Sequence, residues 1–156
     1  MTTTKKILST IFIIGLCSCI REKYTVNESY LCNNTFYKIS VLYYRNGSID
    51  HSISTESLPS KSCILKSSYT SRENNITIHD STTAIDSVVI TYDDGTKIKH
   101  YDMFNKDSTS GLIYTNSRNI LNSNSWSKET TEKRNKKLNK STYTFSEQDY
   151  LNAKNK

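Results

Sequence analysis

The chain has 156 residues and a formal net charge of +6, and 35% of its residues are hydrophobic. This length suits one ordinary domain, and the modest basic balance excludes the dense positive charge of a typical nucleic-acid-binding protein. One proline and four glycines argue against a long flexible linker. Eleven tyrosines among many Ser, Thr and Asn residues favour strands joined by polar turns.

The first eighteen residues have the organisation of a signal peptide. Met1–Lys6 contains two lysines and no acid, and Ile7–Leu16 is apolar apart from Ser9 and Thr10. Such a run is too short to span a bilayer, which takes about 20 residues, and it has the length of a signal-peptide hydrophobic region. We therefore predict that residues 1–18 are a cleaved leader.

The end of this leader resembles a bacterial lipobox. Leu16 lies three residues before Cys19, and the small residue Ser18 immediately precedes that cysteine. Cleavage before Cys17 would instead leave Leu16 next to the broken bond, where a small residue is required. The resemblance implies that Cys19 becomes a lipidated N terminus, with a polar tether over residues 19–29. Several acyl chains anchor a protein stably without a transmembrane helix.

The residue after the lipidated cysteine bears on which membrane holds the protein. In bacterial lipoproteins an Asp at this position favours the inner membrane, whereas this chain has Ile20. The resemblance therefore implies an outer-membrane anchor in the cell envelope, with the domain on the periplasmic or the surface side and no nucleic acid as partner. Ordinary secretion, with Cys17 and Cys19 as incidental residues, is the alternative.

Residues 30–156 are predicted to form a single β-rich domain, which contains the two remaining cysteines, Cys32 and Cys63. Two cysteines in an exported domain favour a disulfide, which stabilises a fold by roughly 3 kcal/mol in the chain-entropy account. The alternative is a pair of small buried apolar side chains, because free cysteine packs well in a core.

The first predicted hairpin joins Ile39–Tyr43 to Ile49–Ile53. Both segments alternate apolar and polar residues, and Asn46-Gly47 between them tolerates positive φ at both positions. A short strand at Cys63–Leu65 and a polar loop at Ser67–Asn75 are predicted to follow.

Two further hairpins are predicted towards the C terminus. One joins Val88–Tyr92 to Lys97–Tyr101 through the turn Asp93–Thr96, whose Asp-Gly step is typical of hairpins. The other pairs Trp126–Thr131 with Ser141–Phe145 across the basic residues that separate them.

The C-terminal residues carry a helix signal. Ser146 lies three residues before Asp149, which is the spacing of a capping box, and predicts a helix over Glu147–Lys154. A helix this short requires docking on the domain, and Tyr150 and Leu151 are its predicted buried residues. The whole pattern predicts a mainly β fold that resembles an immunoglobulin-like β-sandwich of antiparallel hairpins with a short C-terminal helix.

Residue patterns typical of catalysis are absent from the sequence. His51, His79 and His100 share no metal-ligand spacing, and the chain has no Gly-rich phosphate loop and no nucleophile elbow. Asp93 and Asp94 are adjacent carboxylates, but a hairpin turn explains them better. The sequence predicts no catalytic residue, no metal site and no cofactor, and therefore a protein that is not an enzyme.

Two features are candidates for contact with a partner. The tyrosines offer rings that stack on ligands, although strand faces and a core also explain them. A basic run is interpreted as a solvated loop, with contact to anionic lipid or glycan as the alternative. That loop, Lys133–Lys140, contains Lys133, Arg134, Lys136, Lys137 and Lys140.

The leader, the Tyr- and Asn-rich strands and the segment Tyr143–Tyr150 resemble small lipoproteins of the Bacteroides group. The resemblance implies an outer-membrane or cell-surface lipoprotein and no catalytic residues. It also implies O-glycosylation at Asp-Ser followed by Thr or an aliphatic residue. Three motifs match, and Ser81 and Ser108, in predicted loops, are better candidates than Ser87 at a strand start.

We therefore expect a non-catalytic binding or structural module of the envelope. Its partners are the membrane, through the N-terminal lipid, and an unknown envelope protein or glycan. The alternative is an inhibitor or immunity-type lipoprotein that acts on a periplasmic protein.

Lipidation at Cys19 is tested by metabolic labelling with an alkyne fatty acid. We expect the wild type and Cys17→Ala to be labelled and Cys19→Ala to be unlabelled, because only the register that ends at Cys19 has a small residue before the cleaved bond. Equal labelling of Cys19→Ala would contradict the assignment.

Overall fold

The structure is a computed structural model that describes residues 22–72, 85–101 and 118–155. The predicted leader, Cys19, Ser81 and Ser108 lie outside the described residues. The fold is mainly β with one short C-terminal helix, which confirms the predicted fold class. The immunoglobulin-like form of the sandwich stays a prediction.

The described residues form nine strands and one α-helix. In chain order the elements are β1 (Tyr24–Asn33), β2 (Ile39–Arg45), β3 (Ser48–Ile49), β4 (Thr55–Leu58), β5 (Ser62–Arg72), β6 (Ser87–Tyr92), β7 (Lys97–Tyr101), β8 (Ser127–Lys133), β9 (Lys136–Phe145) and α1 (Glu147–Lys154).

The strands are arranged in two sheets. The first sheet has the order β5-β1-β9-β8, and the second has the order β3-β2-β6-β7, with β4 also paired to β2. The pairs are antiparallel except for β1 and β9, which are parallel. That pairing extends along both whole strands, from Tyr24 opposite Lys136 to Asn33 opposite Phe145.

The hairpin turns form where the sequence predicted them. Asn46 and Gly47 have φ values of 51° and 75°, and Gly95 has a φ of 87°, a conformation that glycine adopts without strain. The strand after the first turn is shorter than predicted, because Asp50 accepts hydrogen bonds from the backbone and hydroxyl of Ser52. This turns the chain after Ile49, and pairing resumes at β4.

The first sheet is longer than predicted, and three predictions are wrong there. Tyr24–Ser29 is strand rather than tether, Ser67–Arg72 is strand rather than loop, and Lys136–Lys140 is strand rather than basic loop. The connection between β8 and β9 is only Arg134-Asn135. These segments extend past the core and contain few apolar residues, so they lack the regular apolar alternation that marks a half-buried strand.

The core lies between the second sheet and the C-terminal ends of β1 and β9. Its buried apolar residues are Leu31, Ile39, Val41, Tyr43, Leu58, Ile85, Val88, Ile90, Tyr92, Ile98, Ile120, Tyr143, Phe145, Tyr150 and Ala153. Trp126 packs at its margin, where the indole nitrogen donates to the Ile120 carbonyl at 2.8 Å.

Two side-chain links tie edge strand β5 to the rest of the fold. A disulfide joins Cys32 to Cys63, which lie opposite each other on β1 and β5 with their Cα atoms 4.0 Å apart. Lys66 is the extra residue of a bulge in β5, and its ammonium reaches across to Thr55 at 2.9 Å. Burial lowers the pKa of Lys66. An inward-pointing lysine on an edge strand also discourages pairing with another chain.

The terminal helix has the predicted capping box. The Ser146 side chain accepts a hydrogen bond from the Asp149 backbone NH, and the Asp149 side chain accepts one from the Ser146 backbone NH. Tyr150 is buried as predicted, but Leu151 is 45% exposed, which contradicts its prediction. Ala153 is buried instead, because it lies three residues after Tyr150 on the same helix face. In the part of the chain that the structure describes, no helix is long and apolar enough to cross a membrane.

Three buried tyrosines make stability depend on pH in the alkaline range. Burial raises the pKa of Tyr43, Tyr92 and Tyr143 above the ordinary value of 10.0. The unfolded chain releases these protons near pH 10, whereas the folded chain retains them. The contribution of these three tyrosines to the free energy of unfolding is therefore complete below pH 10 and is lost as the pH rises further. We expect the free energy of unfolding, measured with urea, to fall steadily above about pH 10.

Two matched variants test this explanation. The Tyr143 hydroxyl donates to the Arg118 carbonyl at 2.9 Å, whereas the buried Tyr92 hydroxyl has no hydrogen-bond partner among the described residues. We expect Tyr143→Phe to lower the free energy of unfolding at neutral pH by about 1 kcal/mol and Tyr92→Phe not to lower it. Both should weaken the alkaline dependence, and an unchanged dependence in both would contradict the explanation.

Candidate functional site

The parallel pairing of β1 and β9 brings three segments together at one edge of the fold. We call this edge the far end, and it consists of loop 34–38 after β1, turn 93–96 and helix α1 after β9. The Asn34 backbone donates to the Phe145 carbonyl at 2.8 Å. The Lys38 backbone donates to the Asp93 carboxylate at 3.2 Å, so the turn between β6 and β7 is fixed to the same loop.

One buried amide organises loop 34–38. Asn33 is 1% exposed, and its Nδ2 lies within hydrogen-bond distance of the Tyr37, Leu58 and Pro59 carbonyls, at 2.7, 3.1 and 3.0 Å. Its Oδ1 accepts from the backbone and hydroxyl of Thr35, at 3.0 and 2.8 Å. This one buried side chain therefore links the Thr35 backbone NH and the Tyr37 carbonyl of the loop to the chain at the end of β4, and its own polar atoms are paired.

Phe36 stands at the tip of this loop and is 74% exposed. Its backbone nitrogen donates to Glu147 Oε1 of α1 at 2.7 Å. Lys61 lies beside the ring, with its ammonium 4.4 Å from the ring centroid, and donates to the Asn34 carbonyl at 2.7 Å. The chain thus fixes the backbone of an aromatic residue on both sides and leaves the ring in solvent.

Stacked tyrosines form the base of the far end. The ring of Tyr37 stacks on that of Tyr150 at 4.1 Å, and Tyr150 contacts Tyr92 edge-on at 5.1 Å. The Tyr150 hydroxyl donates to Asp94 Oδ2 at 2.9 Å and accepts from Lys154 Nζ at 3.1 Å. These contacts join α1, turn 93–96 and loop 34–38 into one unit.

Three side chains of this unit have shifted pKa values. A hydrogen bond with Tyr150, together with burial, raises the pKa of Tyr37 to about 12. The backbone NH of Thr96 lowers the pKa of Asp94, and the hydrogen bond with Tyr150 raises that of Lys154. Each shift moves the group away from neutrality, whereas a general acid or base works best with a pKa near the working pH.

Helix α1 is held in place by a charged contact at its N terminus. Arg118 Nε donates to Asp149 Oδ1 at 2.9 Å, and the same guanidinium donates to the Thr144 carbonyl. Asp149 is also the capping residue that binds Ser146, so one carboxylate serves both the helix start and its docking.

The structure describes two of the three histidines, His51 and His100, whereas His79 lies outside the described residues. His100 is buried and its Nδ1 accepts from the Ile120 backbone at 3.2 Å, while His51 lies in an exposed turn. Within residues 22–72, 85–101 and 118–155, no three His, Cys, Asp or Glu side chains meet as a metal site. Asp93 and Asp94 belong to the turn, as predicted, and Asp94 additionally binds Tyr150.

Sequence reasoning did not find Phe36 or Asn33. The signal available was an Asn- and Thr-rich break, residues 33–35, followed by two aromatic residues directly after a strand. Such a break indicates a turn that side chains stabilise, but exposure of the following ring depends on tertiary contacts.

No protein-family model, curated protein or solved structure matches this chain.

The role of Asn33 is tested by truncation. Asn33→Ala leaves buried carbonyls and the Thr35 backbone NH without their partner, so we expect a loss of about 2–3 kcal/mol in the free energy of unfolding and faster amide exchange in loop 34–38. Its neighbour Asn34 is exposed and serves as the matched control, because Asn34→Ala should change stability by less than about 0.5 kcal/mol. Similar losses in the two variants would contradict the role of Asn33.

Proposed function

We propose that the protein is a lipid-anchored, non-catalytic binding module of the cell envelope and that its far end contacts an envelope protein or glycan. The observation that carries the proposal is Phe36, an aromatic residue that is 74% exposed on a backbone fixed by Asn33 and Glu147.

A fixed, exposed aromatic side chain suits binding for energetic reasons. An exposed ring gains free energy when a partner buries it, and aromatic residues dominate the energetics of interfaces. Ordering a flexible loop on binding costs free energy, but loop 34–38 is already ordered by its hydrogen bonds. The adjacent Lys61 ammonium favours a partner that places an acidic group beside an apolar recess.

The remaining features are consistent with attachment and binding rather than turnover. The pKa shifts of Tyr37 and Asp94 at the far end are directed away from neutrality, as described above. The leader sequence supports an anchor at Cys19, which lies five residues before the start of β1. An anchor there retains the domain at the membrane without using any residue of the far end.

Site-specific photocrosslinking in intact cells tests the proposal. The full chain carries a photoreactive benzoylphenylalanine in place of Phe36 or, as a control, in place of Leu65. Leu65 is also exposed, at 50%, but belongs to edge strand β5 and not to loop 34–38, turn 93–96 or helix α1. We expect a discrete adduct from position 36 that is absent from position 65, and protease or glycosidase digestion then assigns it to a protein or a glycan.

A second measurement separates contact from folding. Because the ring is exposed, we expect the free energy of unfolding of Phe36→Ala to lie within about 0.5 kcal/mol of the wild-type value. We expect the same variant to lose binding to the partner. Absence of an adduct at position 36, or equal adducts at both positions, would contradict the proposal. An adduct with a periplasmic enzyme that the wild type inhibits and Phe36→Ala does not would favour the inhibitor or immunity-type alternative.

A further inference from the structure

The end of the first sheet opposite the far end is basic. We call it the near end, and it consists of the residues before and at the start of β1, the end of β5 and the turn between β8 and β9. Tyr24 lies opposite both Arg72 and Lys136, and its backbone donates to the Asn135 carbonyl at 3.1 Å. Lys133 and Lys136 face each other across the turn.

Positive charge at the near end exceeds negative charge. Among the described residues, six cations from three separate segments of the chain are gathered there, and two acids accompany them. Glu22 pairs with Arg72 at 3.4 Å, and Glu132 pairs with Lys137 at 3.6 Å. The other four cations make no ion pair with any residue of the described ranges: they are Lys23, Lys133, Arg134 and Lys136. All four are exposed.

The same end is the one at which the chain enters the fold from its proposed anchor. Five residues separate Cys19 from Tyr24, and a fully extended chain covers at most about 3.6 Å per residue, or roughly 18 Å. A lipid at Cys19 therefore keeps the near end close to the headgroups, whereas the far end lies at the opposite end of ten-residue strands, about 30 Å away.

We propose that the near end is a docking surface for an anionic lipid bilayer, an inference that rests on the proposed anchor. A basic patch beside an acyl anchor supplies a second, electrostatic attachment, and cations act strongly only within about a Debye length of the charged surface. Tyr24, which is 39% exposed between these cations, adds an amphipathic ring of the kind that lies at the membrane–water interface. Docking there directs Phe36 away from the membrane.

Lysine accessibility in reconstituted vesicles tests the docking surface. The full lipid-anchored chain is reconstituted in vesicles of phosphatidylcholine alone or mixed with phosphatidylglycerol, and a membrane-impermeant acylating reagent modifies accessible lysines, which mass spectrometry quantifies. We expect Lys23, Lys133 and Lys136 to react at least about threefold more slowly on anionic vesicles, and high salt to abolish the difference. Lys61 and Lys154 at the far end are internal controls and should react equally on both.

Neutralising variants make the result specific to the near end. Arg72→Gln/Arg134→Gln removes two cations without altering a reporter lysine, and we expect the protection to fall. Lys38→Gln/Lys97→Gln removes two exposed cations beside the far end and should leave the protection intact. Equal protection at both ends, no protection at either, or the same protection from a dissolved acidic polysaccharide would overturn the lipid assignment.

Vesicle flotation tests the anchor separately from the docking surface. If Cys19→Ala and the wild type float equally with phosphatidylcholine vesicles, the anchor at Cys19 is wrong. If the wild type floats in a Cys19-dependent manner but its near-end lysines are not protected on anionic vesicles, the anchor stands and the docking surface is overturned.

Discussion

The rest of the structure depends on the parallel pairing of β1 with β9. Their register holds along the whole of both strands, although the two partners are separated by almost the entire domain. Because parallel strands end at the same edge, this one pairing brings the loop after β1 and the helix after β9 together. A local hairpin would position neither element. Pairing over such a sequence separation forms slowly, because the entropy of loop closure is lost before the favourable contacts are made.

The junction formed there is held by polar side chains rather than by apolar packing alone. Asn33 ends β1 and binds its own following loop, while Asp149, in the first turn of α1, binds Arg118. Buried amides and carboxylates destabilise a fold when they lack hydrogen-bond partners, but when fully hydrogen-bonded they favour one conformation over similar alternatives. These hydrogen bonds therefore restrict the backbone conformation of the loop that bears the exposed aromatic ring. Apolar packing alone, in a junction of this size, would not restrict it to the same degree.

The sequence predicted what is encoded locally. Asn46-Gly47, Asp94-Gly95 and the Ser146–Asp149 capping box each specify a turn or a helix start within a few residues, and all three are present. The extensions of β1 and β9 were missed because strands that protrude beyond a core have no apolar face, and hydrogen bonds to distant partners leave no local signature. Residue burial on α1 was also only partly predicted, since a short helix docks along the face that its surroundings select.

The position of β1 in the middle of its sheet has a mechanical consequence. If the chain is tethered before Tyr24 and pulled through a partner at Phe36, the tension acts along β1 itself. Hydrogen bonds to β5 on one side and β9 on the other then bear the load together in shear, instead of opening one after another as at a peeled hairpin. The Cys32–Cys63 bond further prevents β1 from sliding past β5. Under such a load, β1 would connect the two ends of the fold with little lengthening.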